Sequence, residues 1–277
     1  MKGIKKIPNG WELELHFPWQ CKISKPRSEG ITMILDKGMG LRESLDLLEM
    51  SSRYIDFWKF SFGSSALYTP QMLKRKIEMI RSFNVDVYPG GTFLEIALEQ
   101  GKQIPYLERA YELGFSAVEV SNGTIEITPL QRSRIIKTAR ELGLQVLTEI
   151  GKKEGDKNFD PLLMAEQINK DLEDGAFKVI LEARESGKGV TIFDENGDIE
   201  QEKINKLLLF IRGEEHIIWE APIKKQQLYF LSTFGPQVNL GNIMPDEVLA
   251  LQSLRCGLRA DTFKLSLEEK NNPAASF

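Results

Sequence analysis

Eight short apolar runs along this 277-residue chain each stop at a charged residue or a glycine cluster, and each stop is followed by a stretch of helical composition. The predicted strands lie at 31–35, 54–60, 85–88, 117–120, 145–150, 178–181, 217–219 and 238–240. They end at 36–38, 59–63, 89–92, 119–123, 149–153, 182–187, 220–222 and 239–242. Strand and helix patterns that alternate in this way define parallel βαβ units. Eight of them predict an α/β fold of the (β/α)8 barrel type, in which the strand C-termini surround one pocket. Pro70, Pro129 and Pro161 mark helix starts, and Gly114, Gly143 and Gly175 mark helix ends.

One barrel accounts for the whole length. Residues 1–30 form a short N-terminal extension over its bottom or side, with an alternation at Trp11-Glu12-Leu13-Glu14-Leu15 that reads as a strand or extended arm. The barrel occupies 31–263, interrupted by a loop or small hairpin at 187–197, and 264–277 reads as a frayed polar tail. A net charge of -4 argues against nucleic-acid binding, which needs a concentrated positive face. No apolar run is long enough to span a bilayer, and no apolar segment follows the N-terminal lysines as a signal peptide requires, so we expect a cytoplasmic protein. Cys21 and Cys256 lack any Cys-x-x-Cys spacing and read as indifferent thiols; His16 and His216 also lack a strand-end context. Acid–base chemistry therefore falls to lysine or carboxylate.

Side chains alternate faces along a strand, so Glu149, Gly151 and Lys153 share a face, as do Glu182 and Arg184, and Glu119 and Ser121. Asp36, Glu119, Glu149, Glu182 and Glu220 all stand at strand ends. Carboxylates at a barrel mouth are costly unless paired or bound to a metal, and oxygen donors suit Mg2+. A salt-bridge ring that closes the barrel explains any one of them as well as a catalytic role does, but not all five together. Lys37, Lys59, Lys152, Lys153 and Arg184 supply positive charge to the same rim; lysine titrates when desolvated, and arginine offers a planar fork for oxyanions. Gly90, Gly91 and Thr92 run into a helix whose first N–H groups attract anions, and Ser121, Asn239, Gly241 and Asn242 belong to similar segments. None of these is a Walker loop or a dinucleotide fingerprint.

In order along the chain, several strings resemble the phosphosulfolactate synthase family: Leu35-Asp36-Lys37-Gly38, Tyr88-Pro89-Gly90-Gly91-Thr92, Val118-Glu119-Val120-Ser121-Asn122-Gly123-Thr124, Leu147-Thr148-Glu149-Ile150-Gly151-Lys152-Lys153, residues 180–189, Trp219-Glu220-Ala221-Pro222, residues 238–243 and residues 254–262. The 182–189 string is the most specific. Asn122 departs from the pattern, where an aspartate is expected. The resemblance implies a (β/α)8 enzyme that adds sulfite to phosphoenolpyruvate with Mg2+, a carbon–sulfur lyase of the coenzyme M or sulfolactate type, assembled as a homo-oligomer such as a trimer. On that reading Lys153 is the general acid with Lys59 in reserve. Arg184, Lys37 and Lys152 hold anionic groups together with Gly90, Gly91, Thr92, Ser121, Asn239, Gly241 and Asn242. Asp36, Glu119, Glu149, Glu182 and Glu220 are the metal candidates. Two other readings stay open: a Schiff-base aldolase built on Lys59 or Lys153, and a non-catalytic binding paralogue like the stress-related plant relatives.

Overall fold

The computed structural model describes residues 16–151 and 160–271. Its eight strands are β1 (Thr32–Asp36), β2 (Phe57–Phe60), β3 (Asp86–Pro89), β4 (Ala117–Val120), β5 (Gln145–Ile150), β6 (Lys178–Leu181), β7 (Ile217–Glu220) and β8 (Leu240–Ile243). All the pairings between strands are parallel, in the order β3-β2-β1-β8-β7-β6-β5-β4. At the seam, the Ser116 amide donates to the Val87 carbonyl (3.1 Å) and the Val87 amide donates to Ser116 Oγ (3.0 Å). The result is the nearly closed (β/α)8 barrel that the eight-fold rhythm predicted.

The helices are α1 (Leu41–Ser51), α2 (Pro70–Ser82), α3 (Gly91–Glu99), α4 (Gln103–Leu113), α5 (Pro129–Glu141), α6 (Pro161–Asp174), α7 (Gln201–Leu208), α8 (Lys224–Phe234), α9 (Val248–Arg255) and α10 (Ala260–Asn271). Thr69, Thr128 and Asp160 cap α2, α5 and α6, each immediately before a proline at the first helical position. Gly114 and Gly175 end α4 and α6 in the left-handed conformation. No described helix is long and apolar enough to cross a membrane. Of the predicted polar tail at 264–277, the part up to Asn271 continues α10, on which Thr262 and Ser266 are buried, and 272–277 lie outside the described residues.

Two layers of apolar side chains follow from strand parity. Trp58, Val87, Val118, Val146, Val179 and Trp219 point outward beneath the helices. Ile31, Met33, Phe57, Tyr88, Ala117, Leu147, Ile180 and Ile218 fill the barrel's interior, with Phe177 packed against them. Along 187–197 the expected small hairpin is present as bridges from Phe193 to Val190 and Ile199. Residues 16–30 lie across the strand N-termini: Arg27 grips Asp56 through two nitrogens (2.8 and 2.9 Å), and Asp56 in turn accepts from the Thr32 amide (2.8 Å). The Trp11–Leu15 alternation lies outside the described residues.

Candidate active site

Five strands carry a charged residue two positions past an inward apolar one: Phe57/Lys59, Ala117/Glu119, Leu147/Glu149, Ile180/Glu182 and Ile218/Glu220. The period of two therefore raises one polar layer directly above the apolar plug. Lys59 Nζ lies 2.8 Å from Glu119, 3.2 Å from Glu149 and 3.5 Å from Glu220. Glu149 stands beside Glu182, near enough to raise its pKa. A cavity of about 530 Å³ opens above this layer, with Gly90, Gly91, Thr92, Arg184 and Asn242 on its walls.

The backbone around the cavity is bent to aim these groups. Arg184 sits at φ 58°, rare for a side chain with a Cβ, and its amide donates to Glu182 Oε1 (2.5 Å). In β8 the register advances by three residues where β1 advances by two, and the extra residue leaves Asn242 at φ 53° on the cavity wall. The Gly241 position faces inward, where a Cβ would come within 2.5 Å of Met33.

Four buried carboxylates around one ammonium cannot all stay ionised at ordinary cost. Burial opposes the Lys59 charge, but Glu119, Glu149 and Glu220 together lift its pKa well above that of an ordinary lysine. Burial also raises Glu119, against the pull of Lys59. Glu182 goes well above the carboxylate range, through burial and then the charges of Glu149 and Glu220. Burial takes Glu220 to about 7, again against Lys59. A carboxyl raised in the folded state contributes stability that is full below its unfolded value and is lost as pH rises through the folded one. In EDTA the melting temperature should therefore fall between about pH 4.5 and pH 7 from the Glu220 contribution. Asp174, Asp194 and Asp261 are shifted downward, so their effect, of opposite sign, lies below that window. Glu220→Gln should flatten the decline; an equally steep decline in that variant would refute the assignment.

Among the described residues, no three or more histidine, cysteine, aspartate or glutamate side chains are arranged to hold a metal. Glu149 and Glu182, side by side on the cavity floor, are an oxygen donor set of two, which suits Mg2+ when water and substrate complete its coordination. Glu119 and Glu220 also pair with Lys59, and they accept from the Gly91 amide (2.7 Å) and the Ala183 amide (2.9 Å) respectively.

The structure separates other predicted site residues from the cavity. Asp36 is wholly buried on the outer face of β1, where it accepts from Lys76 (2.5 Å), from the Trp58 indole (2.8 Å) and from the Gly38 and Met39 amides. Leu35, not Asp36, is level with Lys59. Asn239 lies at the opposite end, donating to the Glu215 and Ile217 carbonyls while accepting from the Ile31 amide, because β8 begins one residue after it. Ser121 donates to Glu95 (2.5 Å). Lys37 pairs with Glu185 on the rim (2.6 Å). Lys152 and Lys153 lie outside the described residues.

Two positioning residues escaped the sequence reading. Buried Glu95 gathers Ser121 Oγ and the Gly123, Thr124 and Ile125 amides, shaping the loop after β4. Its place as a lone acid in the apolar stretch Phe93-Leu94-Glu95-Ile96 was the available signal. Arg132 grips Asp171 bidentately (2.8 and 2.7 Å) and donates to the Glu149 carbonyl (3.1 Å), fixing the end of β5 from outside.

Fold and cavity define a (β/α)8-barrel protein of the enzyme type, with a lysine-centred glutamate site at the C-terminal mouth of its strands. The sequence profile of (2R)-phospho-3-sulfolactate synthase (ComA) matches residues 21–261. Phosphosulfolactate synthase of Methanothermobacter thermautotrophicus is 47% identical over 240 residues, covering 86% of this chain and 93% of that protein. The Methanocaldococcus jannaschii phosphosulfolactate synthase is 42% identical, covering 84% of this chain and 94% of its own. The chain belongs to the phosphosulfolactate synthase family. The solved structure of 3-hexulose-6-phosphate synthase from Salmonella typhimurium shares the fold alone, with a TM-score of 0.51 and 14% identity over 86% of this chain and 97% of that one.

Proposed function

We propose that this protein joins sulfite to phosphoenolpyruvate, giving (2R)-phospho-3-sulfolactate, with Mg2+ at the cavity. The product is the one that the names of its family and relatives give. The observation that carries it to this chain is the cavity floor of Lys59, Glu119, Glu149, Glu182 and Glu220, with Arg184 on its wall. In the reaction, the sulfite sulfur bonds to the methylene carbon of the enol phosphate. The double-bond electrons move onto the substrate carboxylate, and a proton adds to the carbon that bears the phosphate.

Glu149 and Glu182 are the residues that would hold Mg2+, which when bound neutralises charge on the substrate carboxylate. Arg184 offers a two-pronged donor for phosphate or sulfonate. Lys59 stays protonated, so it acts as fixed positive charge rather than as the proton donor held in reserve. Lys153 is our proton donor. In sequence it stands two residues past Gly151, where a Cβ would come within 2.8 Å of Glu182. A Schiff-base lysine needs a lowered pKa, and Lys59 moves the other way. Cytoplasmic location and a trimeric assembly are supported by the family likeness alone.

Purified protein should consume phosphoenolpyruvate only when sulfite is present, with the new carbon–sulfur bond visible by 13C NMR. EDTA should stop the reaction and Mg2+ restore it. Consumption without sulfite, or none with all components present, would end this reading. Indifference to EDTA would remove the metal, and full turnover by Lys153→Ala would remove Lys153.

A further inference from the structure

The chain has two cysteines, and the fold brings them together from sequence positions 235 residues apart. Cys21 Sγ and Cys256 Sγ lie 3.3 Å apart, and Gln252 Nε2 donates to both, at 3.2 and 3.1 Å. The contact is built by the surrounding backbone. The Trp19 amide donates to the Cys256 carbonyl (3.2 Å), and Gly257, at φ 71°, lets Pro18 pack so closely that a Cβ there would meet Pro18 Cβ at 2.9 Å. Trp19 is buried beside this junction, and Arg255 ties α9 to the Val238 and Ile31 carbonyls beneath the barrel. None of these residues lines the glutamate cavity.

The geometry points to a reversible dithiol–disulfide site at Cys21 and Cys256 that staples the N-terminal extension to the end of α9. Disulfide sulfurs sit about 2 Å apart, so bond formation requires about 1 Å of sulfur travel. The two thiols are unequally accessible: Cys21 is half-buried and Cys256 buried. Their hydrogen bond lowers the Cys21 pKa to about 6 and, with burial, raises that of Cys256, so Cys21 is the thiolate at neutral pH. The oxidant is a low-molecular-weight disulfide. Cys21 attacks one of its sulfurs and releases one small thiol. Cys256 then gives up its proton and attacks Cys21 Sγ, releasing the second. Two protein thiols are oxidised to one disulfide, and the small disulfide is reduced to two thiols that take up the two protons.

The full-length protein should be incubated with oxidised glutathione. The expected product is a monomer lighter by two hydrogens, with no free thiol and a Cys21–Cys256 cross-linked peptide, reversed by dithiothreitol. Because the link spans nearly the whole chain, the melting temperature should rise by about 5–10 °C. Catalytic turnover should not change. Cys21→Ser, a change at the more accessible thiol, should leave Cys256 unreactive. A persistent glutathione adduct, a disulfide-linked dimer, or no thiol loss would each overturn the proposal. So would a cross-link that leaves the melting temperature unchanged, or a Cys256 that reacts as fast in Cys21→Ser.

Discussion

Lys59→Met is expected to lower kcat/KM for sulfite-dependent phosphoenolpyruvate consumption by about three orders of magnitude. Removing one preorganised donor that stabilises transition-state charge in a water-excluded site costs about 2.7–4 kcal/mol, or about two to three orders of magnitude in rate. The loss has a specific origin. Glu119, Glu149 and Glu220 converge on one ammonium, and without it they must take up protons or repel one another. Methionine keeps the length and the packing of the side chain but not its charge. The variant should therefore be more destabilised at pH 8 than at pH 5, because acid neutralises the orphaned glutamates. Steady-state kinetics and thermal melts at both pH values would test this together. Activity within tenfold of the parent would remove Lys59 from the mechanism.

Asp36→Ala should act on folding rather than on the metal. Its carboxylate neutralises the buried Lys76 ammonium and accepts from the Trp58 indole and two backbone amides. The Lys76 ammonium also lies over the rings of Trp58, Phe60 and Tyr68 and donates to the Met39 carbonyl, so it cannot escape to water without unpacking α2. The expected cost is about 3–5 kcal/mol, or roughly 10 °C in melting temperature for a domain of this size. Mg2+ affinity measured by calorimetry on the surviving folded protein should match the parent. Normal stability with lost Mg2+ binding would mean that Asp36 is a ligand after all.

The contrast between Lys59 and Asp36 shows how far the sequence could be followed. Both stand at the ends of apolar strands, and both looked like mouth residues. Strand β1 is buried on both faces from Thr32 to Asp36, so no polar alternation marks which parity faces inward. Only pairing with β2, which sets Leu35 beside Lys59, decides it. The four glutamates were legible because Ala117, Leu147, Ile180 and Ile218 share their parity in short strands with clear ends. Asn239 was misplaced by a strand beginning two residues later than its composition suggested, compounded by the extra residue at Asn242. The Gly91 amide, expected to meet a ligand, is taken by Glu119. The thiol pair was illegible, since its members meet only once the ends of the chain are folded onto the same face.

The apolar plug below the glutamates has a consequence for traffic. Tyr88, whose hydroxyl donates to Met33 Sδ (2.6 Å), and its buried neighbours stop the shaft from beneath. Both reactants must then use the same doorway as the product. Whichever reactant settles lower has to arrive first.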